Sequence, residues 1–220
     1  MGLTVSLFIP DAIIIASDSL AEIRQNDDGF YQGSIEKVFR INDRYVLALE
    51  GSGFFQGLPY SYYANRIIHE KEVLETDNTV ELSQLLSRRL SSEMPNTSLV
   101  GYVAGYDYVE GQYKPVLTLL DKGRVSIINQ DPEGNPVYNF HTIGRNHWVN
   151  KIILPASLKL GEEELSIPSF DIDFSKYSVN AAKEFAVEMI SFSEKMDRFS
   201  QLKPMIGGEV QIAVVKPYSD

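Results

Sequence analysis

Cysteine is absent from the 220 residues. Its absence excludes disulfide staples, cysteine nucleophiles and thiolate metal sites, and it fits a reducing, cytoplasmic setting. Basic charge is scarce: 20 Lys and Arg stand against 30 Asp and Glu, a formal net charge of -10. Binding to a nucleic-acid backbone requires clustered Lys and Arg, and the longest basic run here is the pair Arg88-Arg89, so no nucleic-acid partner is expected. The acidic excess reads as a solubilising surface. No apolar stretch approaches the roughly 18 residues of a membrane span, and the N-terminus lacks the basic flank and cleavage site of a signal peptide. No membrane partner is expected. Met1-Gly2-Leu3-Thr4-Val5-Ser6 fits a short myristoylation pattern, but the same residues read better as the start of a core strand.

What the chain does have is apolar strand from almost its first residue. Leu3 to Ile9 turns at Pro10-Asp11 and returns as Ala12-Ile13-Ile14-Ile15-Ala16 into Ser17-Asp18-Ser19. The second run is continuously apolar, as in a strand covered on both faces. A chain that opens on a buried strand carries its own α-amino group into the fold, and a buried amino terminus can belong to a catalytic site.

The rest alternates strand and helix signals. Residues 25–34 (QNDDGFYQGS) read as a polar loop. Ile35 to Ile41 and Tyr45 to Leu49 read as a strand pair around Asn42-Asp43, ended by Gly51-Ser52-Gly53. A helical block spans Tyr60 to Leu74, and a second helix, capped by Asn78, runs to about Met94 with Leu82, Leu85, Leu86 and Leu90 in a stripe. Strands resume at Leu99–Gly105, Pro115–Leu120, Val125–Ile128 and Tyr138–Ile143. A short helix follows near His147, an irregular stretch covers 155–176, a long helix runs from Ser178 to about Met196, and a strand closes the chain at Val210–Val215. At 44% hydrophobic content this length supports one core and one domain, 1–220. Sheets segregated from paired helices predict a layered α+β domain.

Most chemical-looking motifs fail on spacing. Gly51, Gly53 and Gly57 follow hairpins rather than opening a βαβ unit, and their spacing departs from the dinucleotide fingerprint. Glu50-Gly51-Ser52-Gly53 does not complete a nucleophile elbow. His69-Glu70 lacks the second histidine of a zinc helix, where Val73 stands. His141 and His147 have no third ligand nearby, and Asp171 with Asp173 lacks the glycine and distal Glu of a calcium loop. Tyr60, Tyr62 and Tyr63 read as core or subunit interface. No cofactor or metal is expected.

One constellation is different. DAIIIASDS with Asp18, IEKVFRI with Lys37, YVLALEGSG with Gly51, AGYD at 104–107, FHTIGRN with Gly144 and IGGEVQIAVV at 206–215 are colinear over nearly the whole chain. In that order and at that spacing the chain resembles proteasome β-type subunits and their bacterial HslV-type and Anbu-type relatives. The resemblance implies a four-layer αββα sandwich, the N-terminal nucleophile hydrolase fold, and a homo-oligomeric ring or stack. It also implies a mechanism in which an N-terminal threonine hydroxyl attacks a peptide carbonyl with its own α-amine as base. Lys37 then matches the lysine that keeps the site electropositive, Asp18 the aspartate that orients it, and Gly51 the glycine whose N–H forms the oxyanion hole.

The chain departs from that pattern where the chemistry sits. Counting back from Asp18 puts Gly2, which has no hydroxyl, in the nucleophile's place. Arg145 stands where the family has a serine after Gly144, and Lys203 and Ile206 replace an acid and a serine before Gly207-Gly208. The reading that follows is a cytoplasmic, self-associating, proteolytically silent subunit, with peptide or unfolded protein as a possible further partner. The alternative is an active threonine peptidase that exposes Thr4 after loss of residues 1–3, because Thr4 shares Gly2's strand face.

Overall fold

The computed structural model describes residues 2–25, 29–51, 53–153, 156–160, 163–167, 172–200 and 205–217. Strands β1 (Leu3–Ile9) and β2 (Ala12–Ser17) form the opening hairpin, and β3 (Leu20–Gln25) and β4 (Gly29–Ser34) form a second. β5 (Val38–Ile41), β6 (Tyr45–Gly51) and the two-residue strands β7 (Phe54–Phe55) and β8 (Leu58–Pro59) lead into helices α1 (Tyr60–Ile68), α2 (Lys71–Glu75) and α3 (Thr79–Glu93). Then come β9 (Leu99–Val109), β10 (Gln112–Asp121), β11 (Arg124–Ile127), β12 (Phe140–Gly144), α4 (His147–Ile153), β13 (Ala156–Leu160), β14 (Glu163–Ile167), α5 (Val179–Phe199) and β15 (Gln211–Val215).

Two antiparallel sheets dominate, one ordered β12-β1-β2-β15 and the other β11-β10-β9-β6-β5. Strand alternation sorts their side chains into three cores. Val46, Ala48, Tyr102 and Ala104 of the second sheet meet Phe8, Ile13, Ile15 and Ala213 of the first. Tyr45, Leu47, Leu49 and Val103, on the other face, pack beneath Ile67 of α1 and Leu82 and Leu86 of α3. Leu3, Val5, Leu7, Ile14 and Ala16 pack against Val149 of α4 and Ala182, Ala186 and Ile190 of α5. The central strands β1, β2 and β6 are buried along their whole length, which explains their unbroken apolar runs.

Caps predicted from sequence are present. The Asn78 side chain accepts from the N–H groups of Val80 and Glu81, and the Ser178 hydroxyl accepts from Ala181. Three expectations need correction. Within the stretch 25–34, Gln25 ends β3 and Gly29–Ser34 form β4, so these residues are strand rather than loop, and Ile23 stands opposite Tyr31; the β-forming Phe30 and Tyr31 outweigh the neighbouring glycines and polar residues. The stretch 155–176 contains the hairpin β13–β14, in which the short apolar alternation sets Leu158 opposite Leu165, and a 3-10 turn at Phe174–Lys176. The block Tyr60–Leu74 breaks at Glu70, whose backbone is extended. There its carboxylate accepts from Arg89 Nε at 2.8 Å and Nη2 at 2.5 Å, which ties the break to α3.

Candidate active site

The alternation that builds the core between the sheets also places a polar cluster at one end of it. Phe8, Ile13, Ile15, Val46 and Ala48 face that space away from the end where β1 begins. Two-residue steps along the same strands carry Thr4, Ser17 and Glu50 to the same face at the end where β1 begins. Register agrees: Thr4 stands opposite Ser17 of β2 and Ile143 of β12. Lys37, just before β5, completes the group. Thr4, Ser17, Asp18, Lys37 and Glu50 are at most 1% exposed, and Gly2 is buried.

Asp18 organises the site. Its Oδ1 accepts from Lys37 Nζ at 2.9 Å and from the Leu3 N–H at 2.8 Å, while Oδ2 accepts from the N–H groups of Gly207 at 3.1 Å and Leu20 at 3.2 Å. Every lone pair thus meets a donor, which is the condition for keeping a carboxylate buried. Three of those donors are backbone groups from β1, from the segment after Asp18 and from the Gly207-Gly208 turn, so the ion pair also fixes where these segments meet. The Lys37 N–H donates to Gln211 Oε1 of β15 at 2.7 Å.

Glu50 is the member that motif reading missed. Its Oε1 lies 3.3 Å from Lys37 Nζ, 3.1 Å from Thr4 Oγ1 and 3.2 Å from Ser17 Oγ, and Oε2 accepts from the Gly2 N–H at 3.0 Å. Thr4 Oγ1 is also 2.8 Å from Ser17 Oγ. Burial pushes the Glu50 carboxyl above the usual carboxylate range, with the Lys37 ammonium pulling the other way and the Asp18 charge adding to the rise. The only signal in the sequence was a charge at the end of a strand whose every other residue is apolar or Gly. Nearby, burial and then the Glu50 and Asp18 charges hold the Tyr60 phenol well above its ordinary value, and its hydroxyl donates to the Leu49 carbonyl at 2.8 Å.

Gly2 lies against the ion pair. A Cβ at residue 2 would overlap Asp18 Oδ1 and Lys37 Nζ, so the place of a side chain is already filled. Burial of Gly2 also sets the myristoylation pattern aside, since an acyl chain on its nitrogen would have to start inside the fold. The Gly2 carbonyl accepts from the Arg145 N–H at 2.7 Å, and Gly144, in the left-handed region at φ 86°, leaves room for that approach where a Cβ would strike the same carbonyl. Gly51 ends β6 with Leu99 opposite; a Cβ there would overlap the Ser98 carbonyl.

The structure brings Gly2, Thr4, Asp18 and Lys37 into one cluster, with Gly51 one residue beyond Glu50. Thr4 reaches Glu50 and Ser17. Of the departures, Arg145 has found another acid: its Nη1 is 3.7 Å from Oδ2 of Asp197, a fully buried residue of α5 that also accepts from Trp148 Nε1 at 3.0 Å. Ile206 is buried in the core beneath β1 and β2, and Lys203 lies outside the described residues, as do Ser52 and Asp171. Among the described residues no group of three His, Asp or Glu side chains is disposed to hold a metal.

No family model and no curated protein matches the sequence. Solved structures do match the fold. The Anbu complex from Pseudomonas aeruginosa, a helical assembly, superposes with a TM-score of 0.61 at 16% identity, over 98% of this chain and 81% of that one. HslV from Trypanosoma brucei gives 0.56 at 14%, over 97% and 99%. This is the HslV and Anbu fold. Anbu from Yersinia bercovieri, the ancestral beta-subunit, agrees with a TM-score of 0.62 at 13% identity over 98% of this chain and 82% of that one. At such identities the likeness is one of fold, and the chain is a divergent, proteasome-like example of it. No helix among the described residues is long and apolar enough to cross a membrane.

Proposed function

We propose that the chain is a proteolytically silent, self-associating subunit built as the four-layer αββα sandwich of N-terminal nucleophile hydrolases, working in the cytoplasm. One observation carries the reading. The Asp18–Lys37 pair occupies the space in which a side chain on residue 2 would stand, and residue 2 is glycine. In the mechanism that the resemblance implies, the hydroxyl on that residue attacks and the lysine favours its alkoxide. Here Lys37 is engaged by two carboxylates and has no hydroxyl of residue 2 to act upon. What remains is a closed, bonded cluster that holds β1, β6 and the Gly207-Gly208 turn together. Self-association is supported by the fold shared with Anbu, one example of which forms a helical assembly. A peptide or unfolded protein as a second partner class rests on the sequence resemblance alone.

The alternative, with Thr4 as nucleophile, draws on its hydroxyl lying next to Glu50 in the same network. It would require loss of residues 1–3 and with them the bonds from the Gly2 N–H to Glu50, from the Leu3 N–H to Asp18 and from Arg145 to the Gly2 carbonyl.

The test is incubation of the purified chain with fluorogenic peptides and an epoxyketone probe, together with native mass of the assembly. No turnover and no adduct on an oligomer is expected. A covalent adduct on Thr4, or turnover abolished by Thr4→Ala, would overturn the reading, and a monomer would remove self-association.

A further inference from the structure

Resting on the reading of a silent site, we propose that the chain is trimmed immediately before Gly2 and that the α-ammonium so formed is held by Glu50 as a second buried ion pair. The geometry comes first. Gly2 nitrogen is buried and stands 3.0 Å from Glu50 Oε2, a carboxylate that is itself 1% exposed. Three buried charged side chains pair with one another beside that nitrogen, Asp18, Lys37 and Glu50, two acids against one base, while Arg145 is paired with Asp197. A buried acid without a matching cation is costly. An ammonium in place of the Gly2 peptide N–H would balance the cluster, with Asp18 facing Lys37 and Glu50 facing both Lys37 and the new terminus. It would also turn the 3.0 Å contact into a charge-assisted bond.

The covalent step is hydrolysis of one peptide bond by a peptidase. Water adds across the peptide bond before Gly2, whatever stands on its N-terminal side leaves with the new carboxylate, and the Gly2 nitrogen takes a proton to become the ammonium. Trimming would precede folding, because the bond adjoins a buried nitrogen. The consequence is that Glu50, rather than a nucleophile, gives the free terminus its place: the amine is retained as a structural ion while the hydroxyl that would make it catalytic is missing.

Intact mass of the purified chain reads the first part. The expected mass is that of a chain beginning at Gly2. A chain that keeps any residue before Gly2 overturns this inference and leaves the silent-subunit reading standing, whereas a chain beginning at Thr4 overturns both. The second part compares the free Gly2 form with the same chain carrying residues before Gly2. At pH 7 the free form should melt about 3–9 °C higher, and Glu50→Gln should erase the difference. Equal melting temperatures would refute the Glu50 pairing. Should the Glu50→Gln variant fold poorly, amine acylation of the wild type decides the matter. The Gly2 amine should be protected in the folded chain and labelled on unfolding, and equal labelling in both states would sink the proposal.

Discussion

The two ends of the space between the sheets make the instructive comparison. Along β1, β2 and β6 the same alternation points residues inward, yet from the far end through the middle the lining is Phe8, Ile15, Val46 and Ala48, while the end where β1 begins is lined by Thr4, Ser17 and Glu50. The apolar part is held by close packing, which is non-directional and tolerant of similar shapes. The polar part is held by bonds that each name a partner, and removing one member strands the others. One region therefore supplies stability, while the other determines how the chain's first residues, β6 and the Gly207-Gly208 turn come together.

Lys37→Met should break the comparison most sharply. It leaves Asp18 and Glu50 as two buried acids with no side-chain cation, at an expected cost of about 3–5 kcal/mol in denaturant unfolding. Ile15→Ala tests the apolar region and should cost about 2–5 kcal/mol through lost burial and a cavity, without altering pH dependence. If Lys37→Met proved harmless while Ile15→Ala did not, the polar end would be a bystander. Gly2→Thr, which would appear to restore a nucleophile, should instead overpack the ion pair, lower stability by about 1–3 kcal/mol and yield no peptide hydrolysis. Measurable turnover by that variant would show that the site can open.

The smallest effect is the most specific. A carboxyl whose folded value is raised binds more protons when folded, so its contribution to stability is present at low pH. It declines as pH rises from the ordinary carboxylate range, about 4.3 for Glu, towards the raised value of Glu50. A chain extended before Gly2 should show this downward slope, Glu50→Gln should flatten it, and a free Gly2 ammonium should weaken it. A slope unchanged by Glu50→Gln would assign it to another group.

Much of this was legible before any coordinates. The opening hairpin, the caps at Asn78 and Ser178 and the closing strand follow from periodicity and from side chains that satisfy helix ends, which are local physics. Asp18, Lys37 and Gly2 were found through motif order, and the structure sets them side by side. The hairpins β3–β4 and β13–β14 were missed because their apolar alternation is short and broken by glycines and polar residues, while pairing between strands is not a local property of either one. Glu50 was missed for a different reason: within its own strand it is a single charge beside a glycine, with nothing local to say where it points.

The sequence alone settled the class of fold elements, the missing hydroxyl at residue 2 and the exclusion of thiol chemistry, because each depends on residue identity or on spacing along one strand or helix. Tertiary structure alone decided that the Asp18–Lys37 pair fills the place of a side chain at Gly2, that Arg145 answers to Asp197, and that Glu50 reaches the Gly2 nitrogen across 48 residues of chain. Those are meetings between elements distant in sequence, and their energies depend on burial and on the distance between charges, which arise only when the two sheets close on one another.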